Sequence, residues 1–327
     1  MERRQFIALL GGAAAAVWPG AARAQQAGKT PLIGLVAGFS EKEMKPLLEA
    51  FRAQLQSMGW SIGSNVRLEA SYAGGIYSEV EQVRNIIAHN PDVIVTQGTG
   101  MLTVVRKETK TIPVVFTMVP DPVKLGIVDN LARPGGNITG FTNFEFSIGG
   151  KWLELLKEMQ PSLKRVLLIS NPGNPNNKQF ATALEGQGGT FGLAISTAEV
   201  RSADQIAPAI DAAGQQPGGA VLVLPDSLLV VNRARISEAA TKNRMPAMYP
   251  FRVFSEEGGL ISYGLNFSEL YRQAATYVDR ILKGEKPGEL PVQAPTKFEL
   301  IINVKVAKAL GIEVPALLLA RADDVIE

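Results

Sequence analysis

The fold is decided by VIVTQGTG, the stretch Val93–Gly100. An apolar, β-branched run ends there in a glycine turn, and the segment Met101–Glu108 continues with helical periodicity. About 130 residues later the same order returns, where Val221–Leu224 (VLVL) leads through a turn into an apolar-periodic segment from Val230. Strand, turn and helix in this order are typical of βαβ units around a parallel sheet.

Other segments repeat at the same spacing. Ile33–Val36 and Val166–Ile169 each open a unit, and Ile112 and Met245 each precede a proline and a short apolar run. A repeat of this length predicts two similar domains and not a short-period solenoid. We therefore expect an α/β fold of two Rossmann-like lobes with parallel sheets.

The chain continues beyond the second repeat. Elements after Tyr249 most simply complete both sheets, which requires several crossings between the lobes and makes a multi-crossing hinge. We place the first lobe at residues 30–142 plus 250–290, and the second at residues 143–249 plus 295–327. Predicted helices cover residues 43–58, 78–89, 101–108, 177–191, 204–213, 230–243, 267–283 and 304–310. Predicted strands cover residues 32–36, 66–72, 92–96, 112–116, 165–169, 193–200, 220–224, 246–248, 259–263 and 298–303.

The N-terminus predicts export. Arg3 and Arg4 precede an apolar run, and Ala22-Arg-Ala24 supplies a small-x-small cleavage site, so residues 1–24 are typical of a signal peptide. The apolar run Phe6–Val17 is too short for a membrane span, which needs ~20 residues. Paired arginines suggest the twin-arginine route, although Glu2 stands where Ser or Thr is usual. We expect a periplasmic protein.

Composition excludes several classes of function. Without Arg3, Arg4, Arg23 and Glu2 of the signal, the chain's 33 basic and 31 acidic residues become thirty of each. A nucleic-acid-binding protein normally carries a basic excess, so we expect no nucleic-acid partner. The absence of cysteine excludes thiolate metal sites and a thiol nucleophile. With a single histidine, His89, and no nucleophile-elbow motif, the sequence predicts no enzyme, no metal and no cofactor.

Ligands of open α/β sheets bind beyond the carboxyl ends of the strands. That rule selects the loops 37–40, 97–100 and 117–122 in the first lobe, and 170–174 and 225–227 in the second. The turn before Met101 offers backbone N–H groups that attract a carboxylate, or it is a tight turn only. Asp226 is suited to pair with an ammonium group, or it is a helix N-cap.

Ser40 has a similar double interpretation, as a contact or as the cap of the first helix, and Asp121 is otherwise a rigid turn between prolines. Aromatic residues near strand ends either sandwich the ligand or belong to the core. The candidate ligand-binding residues are Phe39, Ser40, Gly98, Thr99, Thr117, Asp121, Asn143, Asn171, Asp226, Tyr249 and Tyr263.

Several stretches resemble the substrate-binding proteins of ABC transporters, in the branch whose best-known members bind tryptophan or tyrosine. The most specific is LARPGGNITG, Leu131–Gly140, and KWLELLK (Lys151–Lys157) and PTKFELIIN (Pro295–Asn303) also fit. The resemblance covers nearly all of the chain after the signal. It implies a type I periplasmic-binding-protein fold with three crossings and a ligand held between the lobes.

These observations favour a solute receptor that traps a small carboxylate-bearing ligand, aromatic or an amino acid, between two lobes. We expect a monomer that delivers the ligand to an ABC permease of the inner membrane. A ligand-sensing subunit for a membrane signalling protein fits the same residues. An exported hydrolase using Asp121 or Asp226 is a further alternative, disfavoured by the missing nucleophile.

Overall fold

The computed structural model describes residues 30–74, 79–295 and 297–327. The expected signal, residues 1–24, lies outside them, as does the first residue of the predicted helix 78–89. Within the described residues, no helix combines the length and apolar character needed to cross a membrane.

The first lobe is built on a five-stranded sheet in the order β2-β1-β3-β4-β5, with every neighbouring pair parallel. Its strands β1, β3, β4 and β5 are buried along their whole length, because helices cover both faces. The strands are β1 Leu32–Ala37, β2 Arg67–Tyr72, β3 Val93–Gln97, β4 Val114–Thr117 and β5 Ile138–Phe141.

Within residues 30–74, 79–295 and 297–327, four α-helices belong to this lobe, and one of them comes from late in the chain. The late helix α10 packs against α1. The indole Nε1 of Trp60, shortly after α1, donates to Asp279 Oδ1 of α10 at 2.8 Å. The helices are α1 Glu41–Ser57, α2 Glu79–Ala88, α3 Thr99–Glu108 and α10 Phe267–Leu282.

The second lobe holds a seven-stranded sheet in the order β12-β11-β10-β9-β8-β6-β7. All neighbours are parallel except β10 and β11, which run antiparallel. The strands are β6 Arg165–Ser170, β7 Ala194–Glu199, β8 Gly219–Val223, β9 Ala247–Tyr249, β10 Ile261–Gly264, β11 Glu299–Asn303 and β12 Asp324–Ile326.

The remaining helices accompany this second sheet. Trp152 of α4 is fully buried, and its Nε1 donates to the carbonyl of Tyr263 at 2.9 Å, which fixes α4 to β10. The helices are α4 Gly149–Met159, α5 Pro175–Gly188, α6 Ile206–Gly214, α7 Ser227–Val231, α8 Arg233–Lys242, α9 Arg252–Glu256, α11 Val304–Leu310 and α12 Ala316–Arg321.

The chain passes between the sheets after β5, after β10 and before β11. Two of these crossings are joined, since Thr142 N donates to the carbonyl of Gln293 at 2.9 Å and Gln293 N donates to that of Gly140 at 3.0 Å. The expected α/β fold of two lobes with mostly parallel sheets and a multi-crossing hinge is confirmed.

Some element assignments need correction. Residues 250–264 were placed in the first lobe, but β10 pairs with β9 and β11 and so belongs to the second sheet. The predicted helix 230–243 is two helices, α7 and α8, separated at Asn232. Strands β5 and β12 and helices α4, α9 and α12 were not predicted; β5 and β12 are only three or four residues long and carry little periodicity.

Gly98, at the N-terminus of α3, has φ 85° and ψ 158°, a backbone region that is essentially restricted to glycine. We expect Gly98→Ala to lower the free energy of unfolding by about 1–3 kcal/mol. Gly186 is an exposed helical glycine of α5 with open space around its Cα, so Gly186→Ala should raise stability by about 0.5–1 kcal/mol. Urea unfolding measures the free energy of unfolding of both variants. Equal changes in the two would contradict the conclusion that Gly98 has a backbone conformation restricted to glycine.

Candidate functional site

A cavity lies between the two sheets, where the carboxyl ends of β1, β3 and β4 face those of β6 and β8. The space between its walls, open mouth included, is about 560 Å³. Asn176 Nδ2 of one wall and Thr99 Oγ1 of the other are 2.7 Å apart, so the lobes stand close together and must part for a larger solute to enter. The lining residues are Gly38, Phe39, Gln97, Gly98, Thr99, Gly100, Met101, Met118, Pro120, Asn143, Asn174, Asn176, Phe180, Pro225, Asp226, Ser227 and Phe251.

The first-lobe wall contains the N-terminus of α3. Gly98 precedes the helix and offers no side-chain cap, so the N–H groups of the first turn, from Thr99 to Met101, have no partner within the helix. These residues line the cavity. Aligned, unpaired N–H groups and the helix dipole attract negative charge, so this wall is suited to bind a carboxylate.

Gln97 holds two of the loops in place. Its buried Oε1 accepts hydrogen bonds from Gly38 N at 2.8 Å and Phe39 N at 3.2 Å, and its Nε2 lies 3.5 Å from Met118 Sδ. A Cβ on Gly38 would lie 2.7 Å from Ser227 Oγ in the opposite lobe. The absence of a side chain at Gly38 therefore permits this close approach of the lobes.

The second-lobe wall is organised around the carboxylate of Asp226. Its Oδ1 accepts from Leu228 N at 2.8 Å and from Asn171 Nδ2 at 3.2 Å, and its Oδ2 accepts from Asn174 Nδ2 at 3.1 Å. Asp226 is thus the N-cap of α7, as one of its two interpretations predicted. It also lines the cavity, so capping and ligand contact are compatible.

Asn176 connects the lobes across the cavity. Its Nδ2 donates to Thr99 Oγ1 at 2.7 Å, while its buried Oδ1 has no partner among the described residues. If the amide were turned over, Thr99 would donate to Oδ1 and the NH₂ group would be left instead. In either orientation one polar amide atom of this cavity-lining residue is left without a partner, which is unfavourable. A ligand that supplies the missing partner would relieve this.

Aromatic rings form the apolar part of the wall. Phe39, Phe180 and Phe251 line the cavity. The ring of Phe267 lies 6.0 Å from Phe39 and 4.4 Å from Phe251, so it supports both from behind. Such rings favour flat, apolar ligand groups.

The structure brings together five of the predicted residues at this cavity: Phe39, Gly98, Thr99, Asn143 and Asp226. Asn171 lies behind Asp226 and orients its carboxylate. Ser40 caps α1 by accepting from Glu43 N at 3.5 Å, and its side chain is not among those that line the cavity.

The other predicted residues lie elsewhere. Thr117 is buried within the first sheet and donates to the carbonyl of Thr96 at 3.2 Å. Asp121 lines a separate cavity near the hinge and accepts from Lys124 N at 3.1 Å.

Both predicted tyrosines belong to apolar clusters away from the cavity. Tyr249 is stacked on Phe254, and complete burial raises the pKa of its phenol well above the usual value. Tyr263 is stacked on Phe298. The strand ends therefore predicted loops that line this cavity, but not which side chains point into it.

Sequence reasoning missed Asn176 and Phe180. The helix was predicted to begin near Asn177, whereas α5 begins at Pro175 behind an Asn174 cap, which brings its first turns to the cavity. The Asn-Pro pair was the available signal, because proline favours the first helical position after a capping residue. No cluster of His, Asp or Glu within the described residues is suited to hold a metal ion.

A cavity at the strand ends of two facing lobes is the arrangement of a solute-binding protein. The model of the family described as ABC transporter substrate binding protein matches residues 33–326, and the chain belongs to this family. The predicted resemblance is confirmed.

Individual relatives agree. The chain is similar to a tyrosine-binding protein of Clostridioides difficile (strain R20291), at 26% identity over 282 residues, which cover 84% of this chain and 81% of that protein. A conserved domain protein from Vibrio cholerae has a similar structure, with TM-score 0.85 and 28% identity over 91% of this chain and 100% of the other. A domain from Streptococcus pneumonia, solved in complex with L-Trp, matches with TM-score 0.84 and 23% identity over the same shares.

Removal of the Gln97 side chain should destabilise the protein. Gln97→Ala leaves the buried N–H groups of Gly38 and Phe39 without their acceptor, and we expect a loss of about 2 kcal/mol in the free energy of unfolding. Gln215→Ala removes an exposed glutamine and should change it by less than about 0.5 kcal/mol. Denaturant unfolding at neutral pH measures both, and a loss no larger for Gln97 than for Gln215 would contradict this assignment.

Proposed function

We propose that this protein is the periplasmic receptor of an ABC importer and that it closes around a small aromatic amino acid. The observation that carries the proposal is the cavity between the lobes, which has a helix N-terminus on one wall and a carboxylate on the other. These two walls match the two charges of an amino acid backbone.

The carboxylate of the ligand is assigned to the start of α3. Thr99, Gly100 and Met101 of the first turn line the cavity, and their backbone N–H groups favour an anion without a charged side chain. Cationic side chains are absent from the residues that line this cavity in the described part of the chain. Helix N–H groups are therefore the anchor for a negative charge.

The ammonium group is assigned to Asp226. Its carboxylate is held in one orientation by Asn171 and Asn174, so a cation that approaches from the cavity meets a pre-oriented acceptor. Asn176 Oδ1 adds a second acceptor in the orientation described above. The ring of the ligand would contact Phe39, Phe180 and Phe251, which is consistent with the tyrosine-binding relative.

Closure follows from contacts to both walls. A ligand held by α3 in one lobe and Asp226 in the other stabilises only the state in which the two are close. A permease that recognises this closed state therefore binds the receptor when the receptor carries its ligand. Binding and release then need no bond to be made or broken, and the protein acts as a carrier and not as an enzyme.

Calorimetry of the protein without residues 1–24 tests the ligand class. We expect heat from L-tyrosine or L-tryptophan, and affinity at least about tenfold lower for tyramine and for 3-(4-hydroxyphenyl)propionate, which lack the carboxylate and the amino group respectively. Equal affinity for tyrosine and tyramine would contradict the assignment of the ligand carboxylate to the start of α3. Heat from none of these ligands, with a folded sample, would contradict the proposed ligand.

Asp226→Asn tests the ammonium site, because it keeps an oxygen for the α7 cap and removes the charge. We expect about tenfold or greater weakening of tyrosine, with little change for 3-(4-hydroxyphenyl)propionate. Asp121→Asn is the matched control, because Asp121 lies outside the cavity. The affinity of this variant for tyrosine should equal that of the wild type. An unchanged affinity in Asp226→Asn would exclude Asp226 from the ligand contacts.

A further inference from the structure

A second polar contact between the lobes lies outside the ligand cavity. Arg233, the first residue of α8 in the second lobe, donates from Nη1 to Glu43 Oε1 of α1 in the first lobe at 3.0 Å. Only 7% of the Arg233 side chain and 9% of the Glu43 side chain are exposed. The pair is therefore a buried ion pair between the lobes.

The two partners depend on closure to different degrees. Arg233 also donates to the carbonyl of Val230 at 2.8 Å and to Glu257 Oε1 at 2.5 Å, and both acceptors belong to its own lobe. Separation of the lobes would remove Glu43 alone and leave Arg233 paired. Glu43 would then return to water, where an isolated carboxylate is well solvated.

The ion pair has a short N–O distance, but two of its polar atoms lack hydrogen-bond partners among the described residues. Burial lowers the pKa of Arg233, but the hydrogen bonds to Glu257 and Glu43 outweigh it, so the pKa lies above its usual value and the guanidinium stays charged. Glu43 Oε2 and Arg233 Nε, however, have no hydrogen-bond partner among the described residues. Desolvation of both charges therefore offsets much of their attraction.

We propose that Glu43 and Arg233 form a closure latch that sets the fraction of ligand-free protein in the closed state and slows the release of bound ligand. The latch favours closure without locking it, because its two unpaired atoms limit the gain. A receptor with a strong latch would close empty and exclude its ligand. One with no contact at this position, polar or apolar, would rely on ligand contacts alone.

Removal of one partner and removal of both have opposite consequences. Arg233→Leu leaves the Glu43 carboxylate buried and unpaired whenever the lobes meet, which disfavours the closed state specifically. Glu43→Leu/Arg233→Leu replaces the pair by apolar groups, and such replacements of buried ion pairs are often neutral or stabilising. The double variant should therefore close at least as well as the wild type, although it lacks the salt bridge.

The natural absence of cysteine permits a direct measurement of closure. Lys107→Cys and Lys178→Cys place spin labels on exposed sites of α3 and α5, one in each lobe, and double electron–electron resonance reports the distance between them without any ligand. We expect the closed-to-open ratio to fall at least about tenfold in Arg233→Leu and to recover within about threefold in the double variant. Circular dichroism verifies that each variant is folded.

Arg321→Leu is the matched control, because Arg321 pairs with Glu158 within the second lobe, at 2.8 Å. It should leave the distance distribution unchanged. Three results would each contradict the proposed latch. The wild type could be wholly open without ligand, Arg233→Leu could be as closed as the wild type, or the double variant could be as open as Arg233→Leu.

The kinetic half of the inference rests on the proposed function, since it needs a ligand. With tyrosine as the probe, stopped-flow fluorescence should show dissociation at least about tenfold faster in Arg233→Leu and near the wild-type rate in the double variant. Unchanged dissociation would overturn this half. Failure of tyrosine to bind the wild type would count against the proposed ligand, and the ligand-free distance measurement would still decide the latch.

Discussion

The structure depends on one geometric constraint: the carboxyl ends of two mostly parallel sheets face each other across the ligand cavity. In a parallel sheet every strand delivers its following loop to the same edge. The two edges lie on opposite sides of the cavity, and the lobes are joined by a hinge in which Thr142 and Gln293 form hydrogen bonds between neighbouring crossings. The helix start at Gly98 and the carboxylate of Asp226 therefore face each other although 128 positions separate them in the chain.

Much of this arrangement could be predicted from the sequence. The repeat of Val93–Thr96 at Val221–Leu224 predicted the two lobes, because buried parallel strands must be apolar along their whole length. Helix α11 was predicted with its observed bounds, Val304–Leu310. The assignment of β10 failed because a short buried strand carries no sign of which sheet it joins; the antiparallel pairing with β11 is a long-range contact.

The site was predicted as a region more accurately than as a set of side chains. Turn chemistry located Gly98 and Asp226, since a glycine or a capping residue after a strand has a local physical reason. The direction in which an aromatic ring points has no such local cause. Tyr249 and Phe251 lie two residues apart, yet only Phe251 reaches the cavity, because packing across the whole lobe decides this. Asn176 escaped prediction for a similar reason: its importance arises from Thr99 in the other lobe.

Several contacts between the lobes are polar and only partly satisfied. Asn176 and Thr99 share one hydrogen bond and leave an amide atom unpaired, and Glu43 and Arg233 leave one atom each. Apolar packing over the whole interface would favour the closed state to the same extent with and without a ligand, since it gains from burial alone. The unpaired amide atom of Asn176 instead makes the empty closed state unfavourable by an amount that a suitable ligand can recover, and the unpaired atoms of Glu43 and Arg233, outside the cavity, disfavour closure with or without a ligand. Selectivity for a ligand and readiness to open thus have the same physical origin, the incomplete hydrogen bonding of the surfaces that meet.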